Sequence, residues 1–189
     1  MKSFFRCSGF LLIALYLALP LAAGPIRYWM TGSLFGSLGT APVTGAEFTF
    51  VFNGDTTNIT GVNPLLNPAV SNSISISGFG SGEFTQTIDV GLNPVSGIGG
   101  FSSTGLGSGI TLQNGGFVGW DLATPIGPLT SASPFYAAGS LTTSLGTLAI
   151  AGAEDLTYQA TAVPEPATTA LTGLALLFVA GFRMSRAKR

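Results

Sequence analysis

The stretch "EFTFVFNGDTTNIT", Glu47–Thr60, decides the fold class. Phe48, Phe50 and Phe52 alternate with Thr49 and Val51, which is the period of a strand with one buried face. The Asn53-Gly54 step that follows is the strongest two-residue hairpin signal, so a turn is expected there. A cation loop competes for the same residues, because Asn53, Asp55 and Thr57 place oxygens at alternate positions. However, the twelfth position from Asn53 is Pro64, where an EF-hand needs a bidentate glutamate. The turn is the preferred reading.

Working outward, the same signature recurs at Ser73–Ser77, Glu83–Val90, Gly109–Gln113, Gly116–Leu122, Gly146–Gly152 and Asp155–Ala162. These segments are short, rich in Thr, Ile, Val and Phe, and separated by glycine. No segment between residues 24 and 162 carries the 3.6-residue period of an amphipathic helix. The expectation is an all-β domain, an antiparallel β-sandwich of roughly eight short strands. The run "GLNPVSGIGGFSSTGLGSG", Gly91–Gly109, reads as a low-complexity, poorly ordered loop. It lacks both the Gly-x-Gly-x-x-Gly helix opening and the Gly-Lys-Ser/Thr of a phosphate loop.

Charge narrows the function classes. The chain is 46% hydrophobic and 8% charged. Residues 24–162 hold one cation, Arg27, against Glu47, Asp55, Glu83, Asp89, Asp121, Glu154 and Asp155, a net charge of −6. Such a body repels phosphate backbones, which excludes nucleic acid as a partner. There is no histidine, and Cys7 is the only cysteine. Histidine-based triads, His-ligated zinc and lysine Schiff bases are therefore excluded from this domain, and no catalytic, cofactor or metal site is assigned.

Carboxylates are the only groups left for acid–base work. Asp121 beside Trp120, with Glu83 or Asp89, is a candidate glycosidase pair; the competing reading is a solvated surface. Tyr28, Trp29, Trp120, Phe135, Tyr136 and Tyr158 are candidates for a sugar-stacking platform, with core packing as the alternative. An ice-binding threonine array is a third reading, for which Thr85-Gln86-Thr87 supplies the one Thr-x-Thr step in an expected strand.

The chain ends carry targeting signals. Residues 1–23 combine Lys2 and Arg6, an apolar run from Phe10 to Leu19, Pro20 and a small-residue exit, so a signal peptide with cleavage after Ala23 is expected. Signal peptidase would also remove Cys7. At the other end, Ala167–Phe182 is sixteen uncharged residues, about 24 Å as a helix and just enough for a thin bilayer. Arg183, Arg186, Lys188 and Arg189 follow as a stop-transfer cluster, held inside by the positive-inside rule. Both ends then place residues 24–162 outside the cytoplasm.

Ahead of that helix, Pro164 and Pro166 force Val163–Pro166 to stand extended, with Glu165 as the sole charge between Asp155 and Arg183. Val163-Pro164-Glu165-Pro166, the apolar run and "RMSRAKR" together resemble the PEP-CTERM sorting signal. The resemblance covers residues 163–189 only. It implies an exosortase, a membrane-embedded cysteine enzyme of exopolysaccharide-producing Gram-negative bacteria, which would recognise Pro164, Glu165 and Pro166 and remove the helix and basic tail. The chain would be its substrate, residing briefly in the inner membrane and then at the cell surface or in the extracellular matrix, with exopolysaccharide as a partner. A permanently anchored single-pass protein, and a carbohydrate-binding or carbohydrate-active module, are the alternatives.

Overall fold

The computed structural model describes residues 24–103 and 107–164. The expected signal peptide, Glu165, Pro166, the helix 167–182 and the basic cluster 183–189 lie outside them. Among the described residues no helix is long and apolar enough to cross a membrane.

Twelve strands form one antiparallel sheet: β1 Pro25–Leu38, β2 Ala41–Asp55, β3 Thr60–Gly61, β4 Leu65–Pro68, β5 Ser71–Ile76, β6 Gly80–Gly82, β7 Ile88–Asn93, β8 Ile98–Ser103, β9 Gly109–Gln113, β10 Ile126–Ser131, β11 Tyr136–Thr143 and β12 Gly146–Ala162. Their order is β3-β4-β7-β8-β9-β11-β12-β1-β2-β5-β6, with β10 also on β12. The all-β antiparallel class is as expected. The roughly eight-stranded sandwich is corrected to twelve strands in one continuous sheet.

That sheet curls back on itself. Phe50 and Phe52 of β2 lie far from β8 in the pairing order, yet their rings sit 5.0 and 4.9 Å from that of Phe101. The inward residues of both arms, including Ile26, Tyr28, Met30, Ile74, Val90, Leu112 and Leu148, bury one common core. Alternation sends every second side chain there, so Phe48, Phe50 and Phe52 point in and Thr49 and Val51 point out.

Several boundaries differ from the sequence expectation, each for a packing reason. Asn53-Gly54 is no turn: both residues continue β2, paired with Arg27 and Ile26. A Cβ at Gly54 would lie 2.7 Å from Asn67 Nδ2, so this glycine admits a buried side chain from β4. The chain bends later, at a 3-10 turn Thr56–Asn58 capped by Asp55. The Gly91–Gly109 run is mostly sheet, supplying the end of β7, all of β8 and the start of β9. Its glycines permit close contact: a Cβ on Gly99 would meet the Phe117 ring at 2.9 Å, and one on Gly100 would meet the Ile110 carbonyl at 2.2 Å.

Gly116–Leu122 is not a strand. A 3-10 turn at Gly115–Phe117, capped by the Asn114 side chain, leads into a loop that drives Phe117, Trp120 and Leu122 inward. Within Glu83–Val90 only the part from Ile88 is strand, and Phe84 makes a single bridge to Thr143. The two expected strands at Gly146–Gly152 and Asp155–Ala162 are one, β12, with a register irregularity where Thr31 and Ser33 meet it.

Candidate functional site

Five groups of residues were candidates for function: the chain ends, the carboxylates, the cation-loop oxygens, the aromatics and the threonine step. The ends converge. β1 is the first strand and β12 the last, and they are neighbours in register from Ile26 opposite Ala162 to Leu38 opposite Leu148. Val163 N–H donates to the Pro25 carbonyl at 2.9 Å, so the backbone ladder continues into the first residue of the expected sorting motif. Gly24 N–H donates to Thr56 Oγ1 at 2.8 Å, and Thr56 N–H donates to the Gly24 carbonyl at 3.2 Å. The residue after the expected cleavage site Ala23 and the residue opening the tail are thus fixed at the ends of adjacent strands, Gly24 before β1 and Val163 after β12. Val163 is half-buried and Pro164 exposed; Glu165 and Pro166 lie outside the described residues.

Asp121 and Glu83 do not pair. Asp121 adjoins Leu122, whose carbonyl accepts from Tyr28 at the Ala160 end of β12. Glu83 N–H bonds Ser144 Oγ next to Gly146, at the other end of that strand. Asp89 sits in β7 between Pro68 and Ser102, with its side chain nearly closed off. Partial burial pushes the Asp121 carboxyl up, but the donors Ala123 N–H, Thr124 N–H and Thr124 Oγ1–H on its oxygen outweigh this and hold it below the usual value. A glycosidase acid needs the opposite shift. Asp121 organises its own turn.

The cation-loop oxygens are also engaged. Asn53 Oδ1 accepts from Arg27 Nε at 2.7 Å, and Asp55 Oδ1 accepts from Thr57 N–H at 2.8 Å and from its hydroxyl at 2.7 Å. The Thr57 hydroxyl and amide hold the exposed Asp55 carboxyl below its ordinary value. Among the described residues no group of three or more acids gathers as a metal site would require.

The structure divides the six aromatics. Tyr28, Trp120 and Tyr158 are core residues: Trp120 makes edge contacts with Tyr28 at 6.3 Å and Tyr158 at 5.9 Å, and Tyr158 makes one with Phe117 at 5.2 Å. Tyr28 OH donates to the Leu122 carbonyl and accepts from Asn67 Nδ2, each at 2.7 Å. Tyr158 OH has no partner among the described residues. Burial raises both phenols well above the ordinary value. Phe135 and Tyr136 are exposed at the start of β11. Trp29 is half-buried on the outer face of β1, with the Arg27 guanidinium carbon 5.8 Å from its ring centroid.

Thr85–Thr87 lies outside regular strand, which removes the step proposed for an ice-binding array. Sequence reading missed a different pattern. Ser81, Ser75, Thr49, Thr31, Thr157 and Thr130 are successive cross-strand partners over β6, β5, β2, β1, β12 and β10. Scattered over the chain, they carry no local signal; only the strand register reveals them. No family model, no curated protein and no solved structure matches this chain.

Proposed function

We propose that the chain is an exported, non-catalytic surface or matrix protein, sorted by its PEP-CTERM-like tail and separated from that tail by an exosortase. The observation that carries the reading is the meeting of the chain ends, in which Val163 N–H bonds Pro25 and Gly24 bonds Thr56. Gly24 and Val163, the described residues beside the sequence segments with membrane-directed character, therefore lie at the same end of two neighbouring strands. A domain tethered at one end can stand on one side of a bilayer whether the leader, the tail or both are attached. The ladder also ends where the motif starts, so an enzyme that needs an extended strand meets the motif at the margin of the fold. Asp55 and Asp121, whose oxygens are engaged within their own turns, fit a substrate or matrix component better than a hydrolase.

Glu165→Ala tests the proposal in the producing host. The wild-type domain is expected in the surface and extracellular fractions, with the variant retained in the inner membrane. Equal distribution of the two proteins would favour a permanently anchored single-pass chain.

A further inference from the structure

We propose that the outward sheet face centred on Trp29 binds a neutral glycan strand. This deepens the export reading by naming the chemistry of the partner, but its evidence is the face itself. Three cross-strand rows define it. The widest is the hydroxyl row Ser81–Ser75–Thr49–Thr31–Thr157–Thr130. The next is Ser73–Val51–Trp29–Gln159, and beyond it lies Ser71–Asn53–Arg27–Thr161. Neighbouring strands lie about 4.8 Å apart, so the hydroxyl row extends for about 24 Å.

The chemistry of the face matches a polyol. In the hydroxyl row only Ser81 and Ser75 bond to each other, at 3.0 Å; the hydroxyls of Thr31, Thr49, Thr130 and Thr157 bond no other described residue. Each offers one donor and two acceptor positions, the same complement as a sugar hydroxyl. Trp29, one row away, supplies aromatic surface, shared with the Arg27 guanidinium, on which the C–H side of a sugar ring packs. Gln159 beside it adds an amide with both donor and acceptor.

Charge argues for a neutral ligand. The hydroxyl row and the Trp29 row contain no ionisable side chain. Arg27, one row beyond, reaches over Trp29, its guanidinium carbon 5.8 Å from the ring centroid, and Glu47 and Glu154, both opposite Ser33, stand on the far side of the hydroxyl row. A sheet face exposed only to solvent ordinarily carries charges that blunt association. Here the hydroxyl row itself carries no charge, and a polyanion lying along it would gain at Arg27 and lose at the glutamates.

The test is affinity electrophoresis of the purified full chain, in detergent, through native gels containing hydroxyethyl cellulose, dextran or guar galactomannan, with alginate in parallel. At least one neutral polymer should retard the wild type, equally at low and high salt. Trp29→Ala should raise the polymer concentration for half-retardation on the order of tenfold, and Thr31→Val with Thr157→Val should raise it several-fold, with far-UV circular dichroism unchanged in each. No retardation by any neutral polymer overturns the proposal, as does retardation that Trp29→Ala leaves intact. Salt-sensitive retardation by alginate alone would assign the face to an acidic partner instead. A dimer in sedimentation that Thr31→Arg dissolves would assign it to a second copy, and altered ice-crystal growth that the Thr pair abolishes would assign it to ordered water. Binding by the purified chain does not depend on tail removal, so failure of the export reading shows separately, in the fractionation.

Discussion

Two buried tyrosines in one cluster should respond in opposite ways to the same substitution. Tyr28→Phe removes a hydroxyl that donates to Leu122 and accepts from Asn67, both at 2.7 Å and out of contact with water. The ring keeps its edge contact with Trp120 at 6.3 Å, so the change isolates the hydroxyl. Each bond contributes about 1 kcal/mol, and the Leu122 carbonyl and Asn67 amide left behind add about 1 to 3 kcal/mol of desolvation cost. The expected loss is about 3 to 5 kcal/mol, or about 9 to 15 °C in melting temperature at about 3 °C per kcal/mol for a domain of this size. Tyr158 is equally buried, but its hydroxyl bonds nothing among the described residues. Tyr158→Phe removes an unsatisfied polar group, and the expected change runs from zero to a gain of about 1 kcal/mol. Guanidinium unfolding followed by circular dichroism measures both, with unchanged denaturant slope as the check on comparability. Equal destabilisation by the two substitutions, or a Tyr28→Phe protein within about 0.5 kcal/mol of wild type, would refute the hydrogen-bond assignment.

Three further outcomes follow from the same packing. Both phenols are raised in the folded state, so their contribution is complete below the unfolded tyrosine value of about 10 and declines as pH rises above it; melting temperatures from pH 8 to 12 should fall only past that point, and a flat profile would contradict the burial. Gly54→Ala puts a methyl 2.7 Å from Asn67 Nδ2 and should cost about 2 kcal/mol by disturbing the Asn67–Tyr28 bond. Added to Tyr28→Phe it should cost less than the sum of the two, and strict additivity in a double-mutant cycle would disprove the coupling. Gly99→Val, whose Cβ would meet the Phe117 ring at 2.9 Å, should lose about 1 to 3 kcal/mol in denaturant unfolding, whereas a neutral result would restore the flexible-loop reading of Gly91–Gly109.

The β class was legible because Phe48, Phe50 and Phe52 alternate in a segment long enough to show its period. β1 was less so. Ile26, Tyr28 and Met30 alternate, but register shifts after Thr31 and Phe35 reset the phase before Leu38 is reached. Glycine misled the reading repeatedly for one reason. In this chain Gly54, Gly99 and Gly100 serve close approach, whereas composition alone reads glycine as turn or loop. The candidate sites divide in the same manner. The tail pattern is contiguous and was visible at once, while the hydroxyl row joins residues between positions 31 and 157 that only strand pairing brings together.

Under the proposed function, the β domain is an exported substrate whose tail is removed at the Val163–Pro166 margin. The most direct test is the intact mass of the protein recovered from a host with its exosortase and from the same host without it. A chain beginning at Gly24 and ending at or near Pro164–Pro166 is expected in the first host, and a chain that retains the tail in the second. A mass that includes Arg183–Arg189 in both hosts would contradict it.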